Sequence, residues 1–154
     1  MYEKILVPVD GSATSNLGLQ EAIKLAKLCG ARLFLIHVVD LMSYNVAAAA
    51  DAGLSAEVWQ ALKEGGQEIL AKSQAAAQAA GLACEIKLVE NLAGRVSELV
   101  LDEVQHSGAN LIVLGTHGRR GMGRMLLGSD AEQIVRHTTV PVLLVRDPLV
   151  RPAH

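Results

Sequence analysis

Leu111-Ile-Val-Leu-Gly115-Thr-His-Gly118-Arg-Arg-Gly-Met-Gly-Arg-Met-Leu-Leu-Gly128-Ser129 joins a buried-strand signal to a glycine-rich loop and a helix start. The uncharged run Leu111 to Leu114 is the pattern of a strand covered on both faces, and Gly115 ends it where the chain must leave the sheet. Glycine there permits positive φ and a close ligand approach. Two residues separate Gly115 from Gly118 and nine separate Gly118 from Gly128; Ser129 then stands where a helix through Asp130 to His137 needs its N-cap. The first turn of a helix carries unpaired N–H groups and about half a positive charge, so donors bared by glycine can hold phosphate without a lysine. The stretch predicts a phosphate cradle. The alternative is an ordinary strand-to-helix connection in which Arg119, Arg120 and Arg124 are solubilising charge.

The chain around it has 154 residues, 51% of them hydrophobic and 3% aromatic, which suits one domain with an aliphatic core. A formal net charge of -2 and a pI near 6.2 give no support to a nucleic-acid or anionic-membrane surface, the loop arginines being a local exception. Cys29 and Cys84 lie far apart with no C-x-x-C, and read as buried thiols of a reducing compartment. Met1-Tyr-Glu-Lys runs straight into a strand-like segment too short for a signal peptide, so the expected location is cytoplasmic. Residues 104–118, the longest run free of Asp, Glu, Lys and Arg, include two histidines, Gln105 and Asn110 and fall short of a membrane span.

In chain order, Ile5-Leu-Val-Pro-Val9 reads as a strand closed by Asp10-Gly11-Ser12, with a helix after it bearing Leu19, Ala22, Ile23 and Ala26 on one face. Gly30 stops that helix, and Arg32 to Val39 is a second apolar strand. The conformation of residues 40–54 stays open. Ser55 caps a long helix to Gly81, with Gly65-Gly66 as its weak point. Ala83 to Val89 is a third strand, Gly94 to Ser107 a helix stopped by Gly108, and Val140-Pro-Val-Leu-Leu-Val145 the last strand. The expected domain covers residues 1–147, with a polar tail at 148–154.

Strands alternating with helices imply an α/β fold with a five-stranded parallel sheet, helices on both faces and right-handed crossovers. The order 3-2-1-4-5 places strands one and four side by side, and ligands of open α/β sheets bind at such a switch point. Asp10 and Gly115 stand there. Asp10 suits a ribose hydroxyl or a divalent cation, or else a helix or turn cap; Thr116, His117, Arg119 and Arg120 suit phosphate contacts. His106 and His137 sit near helix ends, where a cation suits the dipole.

The loop is neither a Walker A motif, having no G-K-[ST], nor a dinucleotide fingerprint, since Gly121-Met-Gly123-Arg-Met-Leu126 lacks the third glycine. What remains is G-x2-G-x9-G-[ST], met at Gly115, Gly118, Gly128 and Ser129. By this spacing the chain resembles the ATP-binding branch of the universal stress protein family, over Tyr2 to Arg146. The resemblance implies a Rossmann-like fold, a cytoplasmic protein that binds ATP with Mg2+ or Mn2+, and action in stress adaptation through partners. It implies that Pro8, Asp10 and Ser12 of a P-x-D-x-S segment line the nucleotide site, and that adenine lies against the backbone of Val38. Asp130 departs from the pattern, since family members commonly carry a neutral residue after the serine, and a carboxylate there repels phosphate unless a cation or arginine intervenes.

Motifs of catalysis are absent: no G-x-S-x-G, no H-E-x-x-H, and no cysteine with a plausible histidine partner. The sequence therefore favours an ATP-binding regulatory or adaptor module. Its rivals are a slow ATPase or self-phosphorylating phosphotransferase and an interaction protein of the same fold without nucleotide. An apolar last strand at the sheet's edge predicts a homodimer through Val140 to Val145, although Pro141 removes one donor from that edge; family resemblance implies the same pairing.

Overall fold

The structure, a computed structural model, describes residues 1–40, 55–116 and 127–148. These form β1 (Lys4–Pro8), α1 (Ala13–Cys29), β2 (Arg32–Asp40), α2 (Ala56–Ala79), β3 (Cys84–Asn91), α3 (Val96–Ser107), β4 (Leu111–Gly115), α4 (Ser129–His137) and β5 (Val142–Val145). All strand pairings are parallel, in the order β3-β2-β1-β4-β5. This is the α/β architecture and the strand order expected from the sequence.

Alternation along the strands divides the core in two. Ile5, Val7, Leu33, Leu35, Leu111 and Val113 point to one face, where Leu19, Ala22 and Ala26 of α1 and Leu70 and Ala77 of α2 cover them. Leu6, Phe34, Ile36, Ile112 and Leu114 point to the other, under Val100 and Val104 of α3 and Ala131 and Ile134 of α4. Each fully buried side chain of this kind contributes about 1.5–3 kcal/mol. The central strands are therefore apolar on both faces, which is why they read as unbroken hydrophobic runs.

Side chains begin the first two helices. The Ser12 hydroxyl accepts the Ser15 N–H and the Ser55 hydroxyl accepts the Val58 N–H. Gly30, in the left-handed region at φ 69°, ends α1. Helix α2 keeps its Gly65-Gly66 pair, and here the expected weak point proves to be a contact. A Cβ at Gly66 would stand 2.6 Å from His37 Cδ2 and 2.8 Å from Leu88 Cδ1, whereas one at Gly65 would meet nothing within 4 Å. Gly66 is where the helix backbone lies down on β2 and β3.

The two edges of the sheet differ in chemistry. On β3, Glu85 pairs with Lys4 at 3.0 Å, Lys87 with Glu103 at 2.6 Å and Glu90 with Lys63 at 2.9 Å, so its charges are tied to neighbouring elements. On β5, Leu143 and Leu144 are more than a third exposed and no charge interrupts Val142–Val145. The strand begins at Val142 rather than Val140, because Pro141 has no N–H to give and its carbonyl takes the Ile112 N–H.

Candidate cleft at the ends of the central strands

Past the carboxyl ends of β1, β2 and β4 lies a cleft of about 410 Å³. Pro8, Asp10, Val38, Gly115, Gly128 and Ser129 all line it, so the structure gathers six of the residues singled out in the sequence. Ser12 and Thr116 are not among its lining residues; Ser12 hydrogen-bonds within the turn into α1, and Thr116 bonds to Val145 and Gly128. His117, Gly118, Arg119 and Arg120 lie outside the described residues.

The wall formed by β1 and β2 is closed by its own hydrogen bonds. Asp10 Oδ1 accepts the Ser12 N–H at 2.8 Å and the Asp10 N–H donates to Ser15 Oγ at 3.1 Å, so the aspartate shapes the turn into α1 while facing the cleft. Ser12 in turn caps that helix. The β1–β2 ladder ends at the Pro8–Ile36 pair. Beyond it the Val9 N–H still reaches the Ile36 carbonyl at 2.8 Å, but the Val9 carbonyl lies 2.7 Å from Nδ1 of the buried His37. Backbone groups of a strand turn alternately to its two neighbours. Since Ile36 addresses β1, Val38 turns its N–H and C=O the same way, into the space that β1 has vacated. At the far end of β2, Asp40 Oδ1 accepts from the buried Asn91 amide at 3.2 Å.

The wall formed by β4 and α4 is built otherwise. Gly115 is not among the glycines with positive φ, and its missing side chain is required by packing within the protein. A Cβ there would stand 2.6 Å from the Thr14 carbonyl oxygen and 3.1 Å from the Ser15 nitrogen, the first turn of α1. Its backbone does not use the positive φ that glycine permits, and the first turn of α1 fills the space where a Cβ would stand, while the residue still lines the cleft. Thr116 is buried, its N–H donating to the Val145 carbonyl at 3.0 Å and its carbonyl accepting the Gly128 N–H at 2.8 Å. The chain thus leaves the sheet and returns to the cleft at one clasped point. Helix α4 starts one residue differently from expectation: Gly128, extended at ψ 148°, is the N-cap and Ser129 is the first helical residue, and no side chain caps the turn. Its leading backbone donors border the cleft with Ser129, Asp130 and Ala131. No side chain caps α3 at Arg95 either, and Val96 borders the same cleft.

Other polar groups have local duties. His106 and His137 each place Nδ1 at the carbonyl four residues back, at 2.8 and 2.9 Å, as side chains of helix ends do. Cys29 and Cys84 are free and only partly buried, which corrects the expectation of buried thiols. Burial, with Glu85 beside it, pushes the Cys84 thiol up to about 11, so near neutral pH it is protonated and a poor nucleophile. Among the described residues no group of three or more His, Cys, Asp or Glu side chains is placed to hold a metal ion. No described helix is long and apolar enough to cross a membrane.

The fold has counterparts among known proteins. The model of the universal stress protein family matches residues 1–146. A universal stress protein of Methanocaldococcus jannaschii is 35% identical over 153 residues, spanning 96% of this chain and 84% of its own. The chain belongs to the universal stress protein family. A crystal structure of a universal stress protein family member from Burkholderia pseudomallei is 33% identical with a TM-score of 0.69, covering 94% of this chain and 96% of that one. A universal stress protein solved in complex with cAMP is 25% identical with a TM-score of 0.67, covering 94% and 97%. Within this family, the sequence signals that found the cleft were the glycine spacing and the strand order. His37 and Gly66 were missed as a pair because they lie on different elements and only the fold brings them together.

Proposed function

We propose that this universal stress protein binds ATP with Mg2+ or Mn2+ in the cleft and acts as a nucleotide-binding regulatory or adaptor module of a cytoplasmic stress response. The observation that carries the reading is the meeting, in one cleft at the switch point, of the α4 donors left without a side-chain cap and the Val38 backbone beyond the end of β1. The first suits phosphate oxygens. The second offers a donor beside an acceptor, which matches the edge of adenine. Asp10, facing the cleft, supplies a carboxylate for a ribose hydroxyl or the cation, with Asp40 and Asp130 nearby. A family member in complex with cAMP supports a nucleotide as the ligand class. Gly118, His117, Arg119 and Arg120 complete the phosphate contacts in this reading.

Protein purified without added nucleotide, denatured and analysed by chromatography, is expected to release ATP. Titration with ATP and Mn2+ should give saturable heat in the wild type and none in Gly118→Val, whose circular dichroism remains native. A wild type that neither releases nor takes up ATP overturns the proposal. Turnover is expected to be far below the roughly 10 per second typical of enzymes.

We further propose a homodimer paired through β5, an isologous contact of two antiparallel edges. Exposed Leu143 and Leu144 and the absence of any guarding charge on Val142–Val145 support it. Sedimentation at micromolar concentration should show a dimer for the wild type and a monomer for Leu144→Lys. A monomeric wild type refutes the pairing.

A further inference from the structure

We propose that His37 is a positioning residue of the cleft: its imidazole takes the Val9 carbonyl and so keeps the backbone of Val38 turned, unpaired by β1, toward a base that presents a donor next to an acceptor. The inference rests on the nucleotide-binding reading for the identity of that base and on the structure alone for the role of the histidine.

A carbonyl only accepts, so at 2.7 Å from the Val9 oxygen Nδ1 carries the proton and donates it. In a parallel ladder continuing past the Pro8–Ile36 pair, that oxygen would accept the Val38 N–H. The observed ladder stops one bond short, although Val9 still gives its own N–H to Ile36 at 2.8 Å. The side chain from the neighbouring position on β2 has replaced the backbone donor. Val9 thereby keeps both of its polar groups satisfied, as a residue 3% exposed requires. The cost of leaving the ladder is shifted to Val38, which faces a cleft where water or a ligand can meet it.

The ring is held in this pose from its other side. Gly66 presents bare helix backbone to it, and an added Cβ would stand 2.6 Å from Cδ2 and 3.1 Å from Nε2. With the helix behind and the Val9 carbonyl ahead, the imidazole ties α2, β2 and the end of β1 at one point, directly before Asp10. A merely space-filling aromatic or aliphatic residue at position 37 would pack against Gly66 but could not donate to Val9.

Amide hydrogen exchange of the 15N-labelled protein, followed by NMR without nucleotide, tests the role directly. The Val38 amide should exchange about tenfold or more faster than that of Ile36, the difference one hydrogen bond makes. In His37→Leu the Val38 amide should slow by about the same factor as the ladder extends. In His37→Asn, whose Nδ2 stands where the imidazole Nδ1 does, it should stay fast, while His37→Gln, with its donor one atom further out, serves if the leucine variant does not fold. A Val38 amide as protected as Ile36 in the wild type, or one unmoved by removing the donor, overturns the proposal. Titration with ATP and Mn2+ reads the consequence: affinity about tenfold weaker in His37→Leu and near wild type in His37→Asn. Loss of affinity to the same degree in both variants overturns it too. If the exchange pattern is as expected and the wild type binds no ATP, His37 keeps its role and the nucleotide reading falls.

Discussion

Helices α1 and α4 follow the neighbouring strands β1 and β4 on opposite faces of the sheet, and their first turns are finished in opposite ways. The connection into α1 is short and self-satisfied: Asp10 accepts from Ser12, Ser12 accepts from Ser15, and Ser15 accepts from Asp10. Thr14 in that turn presses on Gly115 so closely that a single carbon cannot be added there. The connection into α4 is long, clasped at its base by Thr116 and Gly128, and its helix opens on a glycine with no side-chain cap. The α1 start spends its N–H donors within its own loop and so builds scaffold, while Asp10 and Ser15 of that turn also border the cleft. A helix start whose donors face a cleft is equipped for a ligand, and the difference lies in the cap residues rather than in helix length or burial.

The sharpest way to break this contrast is to push the scaffold turn away. Gly115→Ala sets a Cβ 2.6 Å from the Thr14 carbonyl oxygen, and backbone on both sides cannot give as a flexible side chain would. A loss of about 1–3 kcal/mol is expected. Urea unfolding should show it as a lower midpoint at unchanged slope. A variant as stable as wild type would mean that Gly115 is kept for the ligand, as its place in the glycine pattern first suggested.

Smaller is the effect of removing caps, and here the two helices should part. Ser12→Ala deletes the acceptor of the Ser15 N–H and should cost about 1 kcal/mol. Ser129→Ala deletes no cap and should change stability by less than about 0.5 kcal/mol without nucleotide. Thermal unfolding of both variants with and without ATP makes the comparison complete. Equal losses in the two apo proteins would show that Ser129 caps α4 after all.

That one-residue displacement illustrates what the sequence could and could not convey. Serine leads among N-cap residues, which pointed to Ser129, but glycine is favoured there too, and the helix takes Gly128 as its cap. The strands were legible because burial on two faces leaves an unbroken aliphatic run, and the order because right-handed crossovers leave few alternatives. From the order came the place of the cleft, with Asp10 and Gly115 on its rim. The reasons for particular glycines were not legible. Gly66 looks like a flaw in a helix until His37 is seen lying across it, and Gly115, on the rim of the cleft, has a further reason to be glycine in the first turn of α1 behind it. Both reasons come from residues far away in sequence, and no local pattern carries them.

The subtlest difference between the two starts is charge. Helix α1 has no acidic residue in its first turn, while α4 has Asp130 and Glu132. Carboxylates at that end offset the helix dipole by about 0.3–1 kcal/mol each, so Asp130→Asn should lower the stability of the nucleotide-free protein by a few tenths of a kcal/mol. The same carboxylate borders the cleft, where it opposes a phosphate. Two unit charges 4 Å apart repel by about 1 kcal/mol in water, so the asparagine should bind ATP a few-fold more tightly, and the gain should shrink as salt screens the charges. Stability and affinity therefore move in opposite directions, which no simple loss of structure produces. Calorimetric titration at two salt concentrations reads the result. If Asp130→Asn instead weakens ATP binding, and weakens it only when Mg2+ or Mn2+ is present, the carboxylate is a cation ligand, and the α4 start is equipped for the metal as well as for the phosphates.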